Sequence, residues 1–142
     1  MPRAKKQPLG HIEVELLVAG QPTRNGRVYP PEIIEKLCAD INKTPVTIEE
    51  VSPLERRAKQ IPVCYSWKEH AMAKSTGARV DDLKLIVDFD IINNKYGSLL
   101  QKSIEAGTVS YMPVGIGDTD KDNVITDYQM TYVAIDVNYG NN

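Results

Sequence analysis

Few residues in this 142-residue chain have the types and spacing to do chemistry. Asp118-Thr-Asp-Lys-Asp-Asn123 alternates carboxylates like the first half of a calcium loop. The second half is missing: Asn123 stands where such a loop turns on glycine, and Gln129 stands where it needs a bidentate Glu. A solvated turn is expected there. No Cys/His spacing suits zinc. Gly115-Ile-Gly117 is too short to cradle a phosphate and precedes a turn, not a helix. Cys38 and Cys64 sit far apart inside expected elements, which suits small buried thiols made in a reducing cytoplasm. The histidines are His11, at the head of a strand, and His70, in a polar connection. Neither has an adjacent nucleophile to serve as a base. No cofactor and no metal are expected.

The elements that must position these residues follow from apolar periodicity. Residues 1–10 carry Arg3, Lys5, Lys6 and two prolines without an apolar period, and read as a basic extended arm. A single domain is expected over residues 11–142. His11–Ala19 alternates and then becomes apolar, as a strand entering a core does. Gly20–Gly26 is turn-rich. Tyr29-Pro30-Pro31 seeds a helix over Glu32–Asn42, with Ile33, Ile34, Leu37, Cys38 and Ile41 on one face. Pro45–Glu50 and Ile61–Trp67 read as short strands. The cationic segment between them (Arg56, Arg57, Lys59) reads as an exposed loop or one helical turn, and Glu69–Ser75 as a polar connection.

Gly77–Val80 and Leu83–Ile91 form an expected hairpin joined by Asp81-Asp82. Strict alternation places Leu83, Leu85, Val87, Phe89 and Ile91 on one side of it. A second helix over Lys95–Ala106 ends at Gly107, a C-cap position. Thr108–Ile116 is a strand interrupted by Pro113. Val124–Val137 is a long last strand, with Tyr128, Met130, Tyr132, Ala134 and Asp136 on one side. The expected class is α+β: a strongly bent antiparallel sheet or small barrel of about six strands, flanked by two helices.

Composition narrows the function class. With 17 Lys+Arg against 19 Asp+Glu, the net charge of -2 gives no reason to expect nucleic acid as partner. No apolar run reaches the roughly 18 residues of a membrane span, and the basic N-terminus has no apolar stretch behind it to make a signal peptide. Seven tyrosines beside one Phe suit a core with paired hydroxyls or an interface, with Tyr29, Tyr65 and Tyr111 as candidates.

In order, these segments resemble the tailed-phage prohead (capsid maturation) proteases, which share a fold with the herpesvirus assemblins. Asn25-Gly26-Arg27-Val28-Tyr29-Pro30 before a short amphipathic helix resembles their N-terminal signature. Ile61-Pro-Val leading to His70, then Gly77-Ala-Arg-Val, matches their strand, histidine and following glycine. The family places its nucleophile in a strand of the form Gly-x-x-x-Gly-[apolar]-Ser-[small or apolar]-Gly. Here that strand is Gly107, Tyr111 in place of Gly, Met112, Pro113 in place of Ser, Val114 and Gly115. The resemblance covers roughly residues 11–140.

Proline carries no nucleophilic atom. The resemblance therefore implies a protease fold that no longer cuts, with His70 a relic. It points to a capsid decoration, or cement, protein: located on the virion surface, binding the major capsid protein, and meeting neighbouring copies of itself. Arg3, Lys5, Lys6, Arg56, Arg57 and Tyr111 are the candidate contacts. The competing alignment keeps an active endopeptidase, with Ser110 as nucleophile, His70 as base, and Asp127 or Asp136 as the orienting acid. A shift of three residues along a strand reverses the side-chain face, which counts against it, though a bulge at Pro113 would restore the face. So does the brief sequence after the last strand, Tyr139-Gly-Asn-Asn142, where no added targeting or pro-segment is expected.

Overall fold

The computed structural model describes residues 7–50, 53–107 and 109–137. Arg3, Lys5 and Lys6 lie outside the described residues, as does the side chain of Asp136. Ten elements follow in order: β1 (Gly10–Val18), α1 (Pro31–Lys43), β2 (Thr47–Glu49), α2 (Pro53–Ala58), a 3₁₀ turn (Lys68–His70), β3 (Ala71–Asp81), β4 (Lys84–Ile91), α3 (Lys95–Glu105), β5 (Val109–Thr119) and β6 (Ile125–Val137). The strands form one curled sheet in the order β1-β4-β3-β2-β6-β5. All pairings are antiparallel except β2 with β6, which makes the sheet mixed. The expected α+β class stands, with α2 added as a third, short helix.

The core fills the space between the curled sheet and the two long helices. α1 starts on Pro30 and Pro31, whose fixed φ suits a first turn, and buries Ile33, Ile34, Leu37 and Ile41. α3 is capped by Asn94, whose side chain accepts the Gly97 amide at 2.7 Å. Gly97 has no room for a side chain, since a Cβ there would lie 1.7 Å from the Ile92 carbonyl oxygen. Against these helices β4 presents Leu85, Val87, Phe89 and Ile91, all at most 3% exposed. Leu83, expected on the same side, instead sits half-exposed in the β3–β4 turn. Asp82 and Leu83 there both take positive φ (49° and 68°), as a two-residue hairpin turn of type I′ requires.

Several boundaries differ from the sequence reading. Leu9 donates its amide to the Ile91 carbonyl and β1 begins at Gly10, so the sheet reaches into the segment assigned to the arm. The polar connection at Glu69–Ser75 is largely strand: β3 starts at Ala71 and buries Ala71, Met72, Ala73 and Ser75. Residues 61–67 are not a strand but a turn-rich loop. Pro113 does not interrupt β5. It sits in register opposite Val133 on an edge strand, where its missing N–H costs the ladder nothing.

The even alternation expected of β6 breaks at Thr131. Two β6 residues, Thr131 and Tyr132, oppose Val114. Beyond that bulge Val133 and Ile135 enter the core, while Tyr132 is buried on the opposite side.

Candidate functional site

The register decides which side chains share a face. Residues directly opposite one another on neighbouring strands point the same way. One row runs Ile91, Ala73, Ile48, Val133, Pro113 across β4, β3, β2, β6 and β5, so Pro113 lies on the core side with Ile48 and Val133. The next row runs Glu49, Ala134, Met112 on the opposite side. Alternation along β5 places Ser110 with Met112 and Tyr111 with Pro113. Ser110 and Pro113 therefore occupy opposite faces of one strand.

On the core side, a cavity of about 530 Å³ opens between the edges β1 and β5. Leu16, Leu17, Tyr111, Pro113, Tyr29 and Tyr128 are among its walls. Tyr29 and Tyr128 meet edge to face at 5.5 Å. Burial pushes both hydroxyls above the usual tyrosine range, and the Arg27 charge partly opposes this. Tyr111 is half-buried here, its hydroxyl also pushed up by burial, and so turns inward from the surface on which a capsid contact was expected.

His70 is engaged elsewhere. Its ring is stacked between Trp67 at 3.8 Å and Tyr96 at 4.7 Å, each at 18°. Lys59 lies over the far face of this group at Trp67, and Lys95 over Tyr96. β2 and β6 separate β3, which follows His70, from β5. The ring does not line the cavity beside Ser110, and among the described residues no hydroxyl or carboxylate bonds it. Ser110 is exposed and opposes Asp136 in the β5–β6 register, while Asp127 is exposed near the far end of the hairpin. The triad read from the sequence is thus not assembled among the described side chains. His11 bonds Asp90 at the outer end of β1 and takes no part.

Sequence reasoning missed a buried polar tie on the side of Glu49. Glu49 is 1% exposed and accepts hydrogen bonds from Ser66 Oγ at 2.6 Å, the Trp67 amide at 2.6 Å, and Thr47 Oγ1. Arg56, read as an exposed capsid contact, is instead 5% exposed. Its guanidinium lies 3.9 Å from Glu49 and donates to the Pro62 and Tyr65 carbonyls and to Tyr132 Oη at 3.1 Å. Tyr132 in turn donates to the Val63 carbonyl at 2.7 Å. A charge taken out of water needs such partners, and here they strap α2 and the 59–67 loop over β2 and β6. The cationic run gave no sign of this, because the partner carboxylate, Glu49, closes the strand before it and no local pattern turns Arg56 toward it. Arg57, on the outer face of α2, stays exposed as expected.

The remaining candidates carry no chemistry. Asp120 Oδ1 accepts the amides of Asp122 and Val124, so the calcium-like segment is a capped hairpin turn. Among the described residues no group of three His, Cys, Asp or Glu is placed to hold a metal. Cys38 in α1 and Cys64 in the loop are half-buried free thiols. No helix of the described residues is long and apolar enough to cross a membrane.

The architecture is that of a prohead-protease-like fold. Among solved structures the chain is similar to the bacteriophage T4 capsid assembly protease, gp21, with a TM-score of 0.65 over 88% of this chain and 79% of that one. The two sequences are 20% identical, so the likeness is one of fold. No protein-family model matches the sequence, and a search of curated proteins finds no significant match.

Proposed function

We propose that this is a non-catalytic structural protein of a phage head: a prohead-protease-like domain that binds the capsid shell from outside and stabilises it. The observation that carries the reading is the composition of β5. Where the fold's relatives are expected to hold a serine, Pro113 offers no nucleophile, and the nearest serine hydroxyl, on Ser110, faces away from it. His70, stacked between two rings, supports the same reading, since a general base must lie within reach of the proton it takes from the nucleophile. Such a protein would act by burying surface against the major capsid protein, stabilising the bound form of the shell by mass action. Arg57 and the basic N-terminal cations Arg3, Lys5 and Lys6 remain its proposed electrostatic contacts.

The test is direct addition of the purified chain to heads assembled without it. Saturable binding that raises the heat or urea resistance of the shell, with all shell proteins left at full length, is the expected result. Cleavage of shell or scaffold chains, lost in Ser110→Ala, would replace this reading with the endopeptidase one.

A further inference from the structure

The curl of the sheet brings its two ends together. Cα atoms of β1 and β5 come within 8 Å of each other, and residues 15–18 and 110–113 wall the cavity of about 530 Å³ between them. A strand laid between the two would need a gap of about 9.6 Å, twice the ordinary strand spacing, so the space admits a compact ligand and not a further strand. Its volume falls within the roughly 300–1,000 Å³ of small-molecule sites. The floor is apolar and aromatic: Leu16, Leu17, Tyr29 and Tyr128 are each at most 7% exposed. The half-buried Tyr111 lines the same space, and among the described residues none bonds its hydroxyl. A polar group in such a place calls for a partner.

The mouth of this cavity is cationic. The loop between β1 and α1 places Arg24 and Arg27 on its rim. The loop is fixed by its own bonds: the Gly20 amide donates to the Tyr29 carbonyl at 3.0 Å, the Thr23 amide to the Arg27 carbonyl at 2.8 Å, and the Val28 amide to the Asn123 carbonyl at 3.0 Å. Among the described residues no carboxylate pairs with Arg27. Its charge reaches inward, since it opposes the effect of burial on the Tyr29 and Tyr128 hydroxyls. Among the described residues the one carboxylate lining the cavity is Glu15, and that is paired with Lys84 at 3.8 Å.

We infer that this cavity binds a small amphipathic carboxylate, with its apolar body against Leu16, Leu17, Tyr111 and Pro113 and its charge at Arg27. The carboxylate takes the guanidinium donors as charge-assisted hydrogen bonds. An alkyl or aryl body covers the buried floor, where removal of apolar area from water supplies the affinity. A cation of the same shape meets Arg24 and Arg27 and is repelled. The occupant touches β1, β5 and the loop at once, so it holds the two ends of the sheet together and stabilises the folded chain by mass action. This concerns the isolated chain, so it does not depend on shell binding.

Titration of the full chain with octanoate, octanol and octylammonium, followed by amide chemical shifts in heteronuclear NMR, tests it. Octanoate is expected to bind saturably, to move the amides of Leu16, Leu17 and Tyr111, and to raise Tm. Octanol should bind several-fold more weakly and octylammonium not at all. Arg27→Gln, a change to an exposed side chain, should abolish the preference for octanoate over octanol while octanol binding stays as it was. Arg27→Glu should turn the preference toward octylammonium. Circular dichroism confirms that the variants are folded; if they are not, the ranking of the three probes by the unaltered chain decides alone. No binding of octanoate, equal affinity for the three probes, a preference that survives Arg27→Gln, or shifts confined to residues outside the cavity overturns the inference.

Discussion

Pro113 and Ser110 differ by three positions and by one face of the sheet, and that geometry sets what single substitutions can do. Pro113→Ser puts a hydroxyl on the core side of β5 among Val133 and Ile48, with His70 held elsewhere between Trp67 and Tyr96. It is expected to leave the protein without peptidase activity and unreactive to a fluorophosphonate probe; labelling of the introduced serine would contradict the assignment. Arg56 offers the opposite case, a residue whose role is structural. Arg56→Met strands Glu49 at 1% exposure without its counter-charge. Breaking a buried pair this way costs about 3–5 kcal/mol, read from urea unfolding. Adding Glu49→Gln should recover part of that loss. That Pro113 supplies no nucleophile was legible in the sequence, since proline declares its chemistry. The burial of Arg56 was not, because its partners, the Glu49 carboxylate on β2, the Pro62 and Tyr65 carbonyls and the Tyr132 hydroxyl, come together only in the fold.

At the scale of elements, local chemistry announced some structures and tertiary context overrode others. Pro30-Pro31 and Gly107 marked the start of α1 and the end of α3, and each acts through its own backbone, whereas the Asn94 cap of α3 emerged only in the structure. The loop 61–67 has the residue types of a strand but is held as a loop by the carbonyl bonds to Arg56, Thr131 and Tyr132. No periodicity encodes that. The bulge at Thr131 likewise hid the true faces of β6, because one extra residue inverts the alternation beyond it.

Substitutions in α3 check this level. Asn94→Ala removes the cap of the Gly97 amide and should cost about 1 kcal/mol. Gly97→Ala should cost considerably more, since its methyl would meet the Ile92 carbonyl and must displace the helix from β4. Equal costs for the two would show that the close approach at Gly97 does not constrain α3.

Across the whole molecule, the buried tyrosines link stability to pH. Burial raises the pKa of Tyr29, Tyr128 and Tyr132 in the folded chain above the ordinary value of 10.0. Above pH 10 the unfolded chain releases these protons while the folded chain still holds them. The stability they confer is therefore complete below pH 10 and falls as pH rises through the folded values. Denaturant midpoints should drop steeply in alkali, and Tyr128→Phe should flatten that drop.

The fold class was legible from the order of its segments, because helix-starting prolines, a C-cap glycine and alternating apolar strands each declare an element locally. The proposed role rests on the surface, where sequence patterns carry least. The most direct measurement is the copy number and intact mass of this chain in purified mature particles. An uncleaved chain, present in a number tied to the symmetry of the shell, is the expected result. Its absence from the particle, or its presence only as fragments, would contradict a structural role and return Ser110 to consideration as a nucleophile.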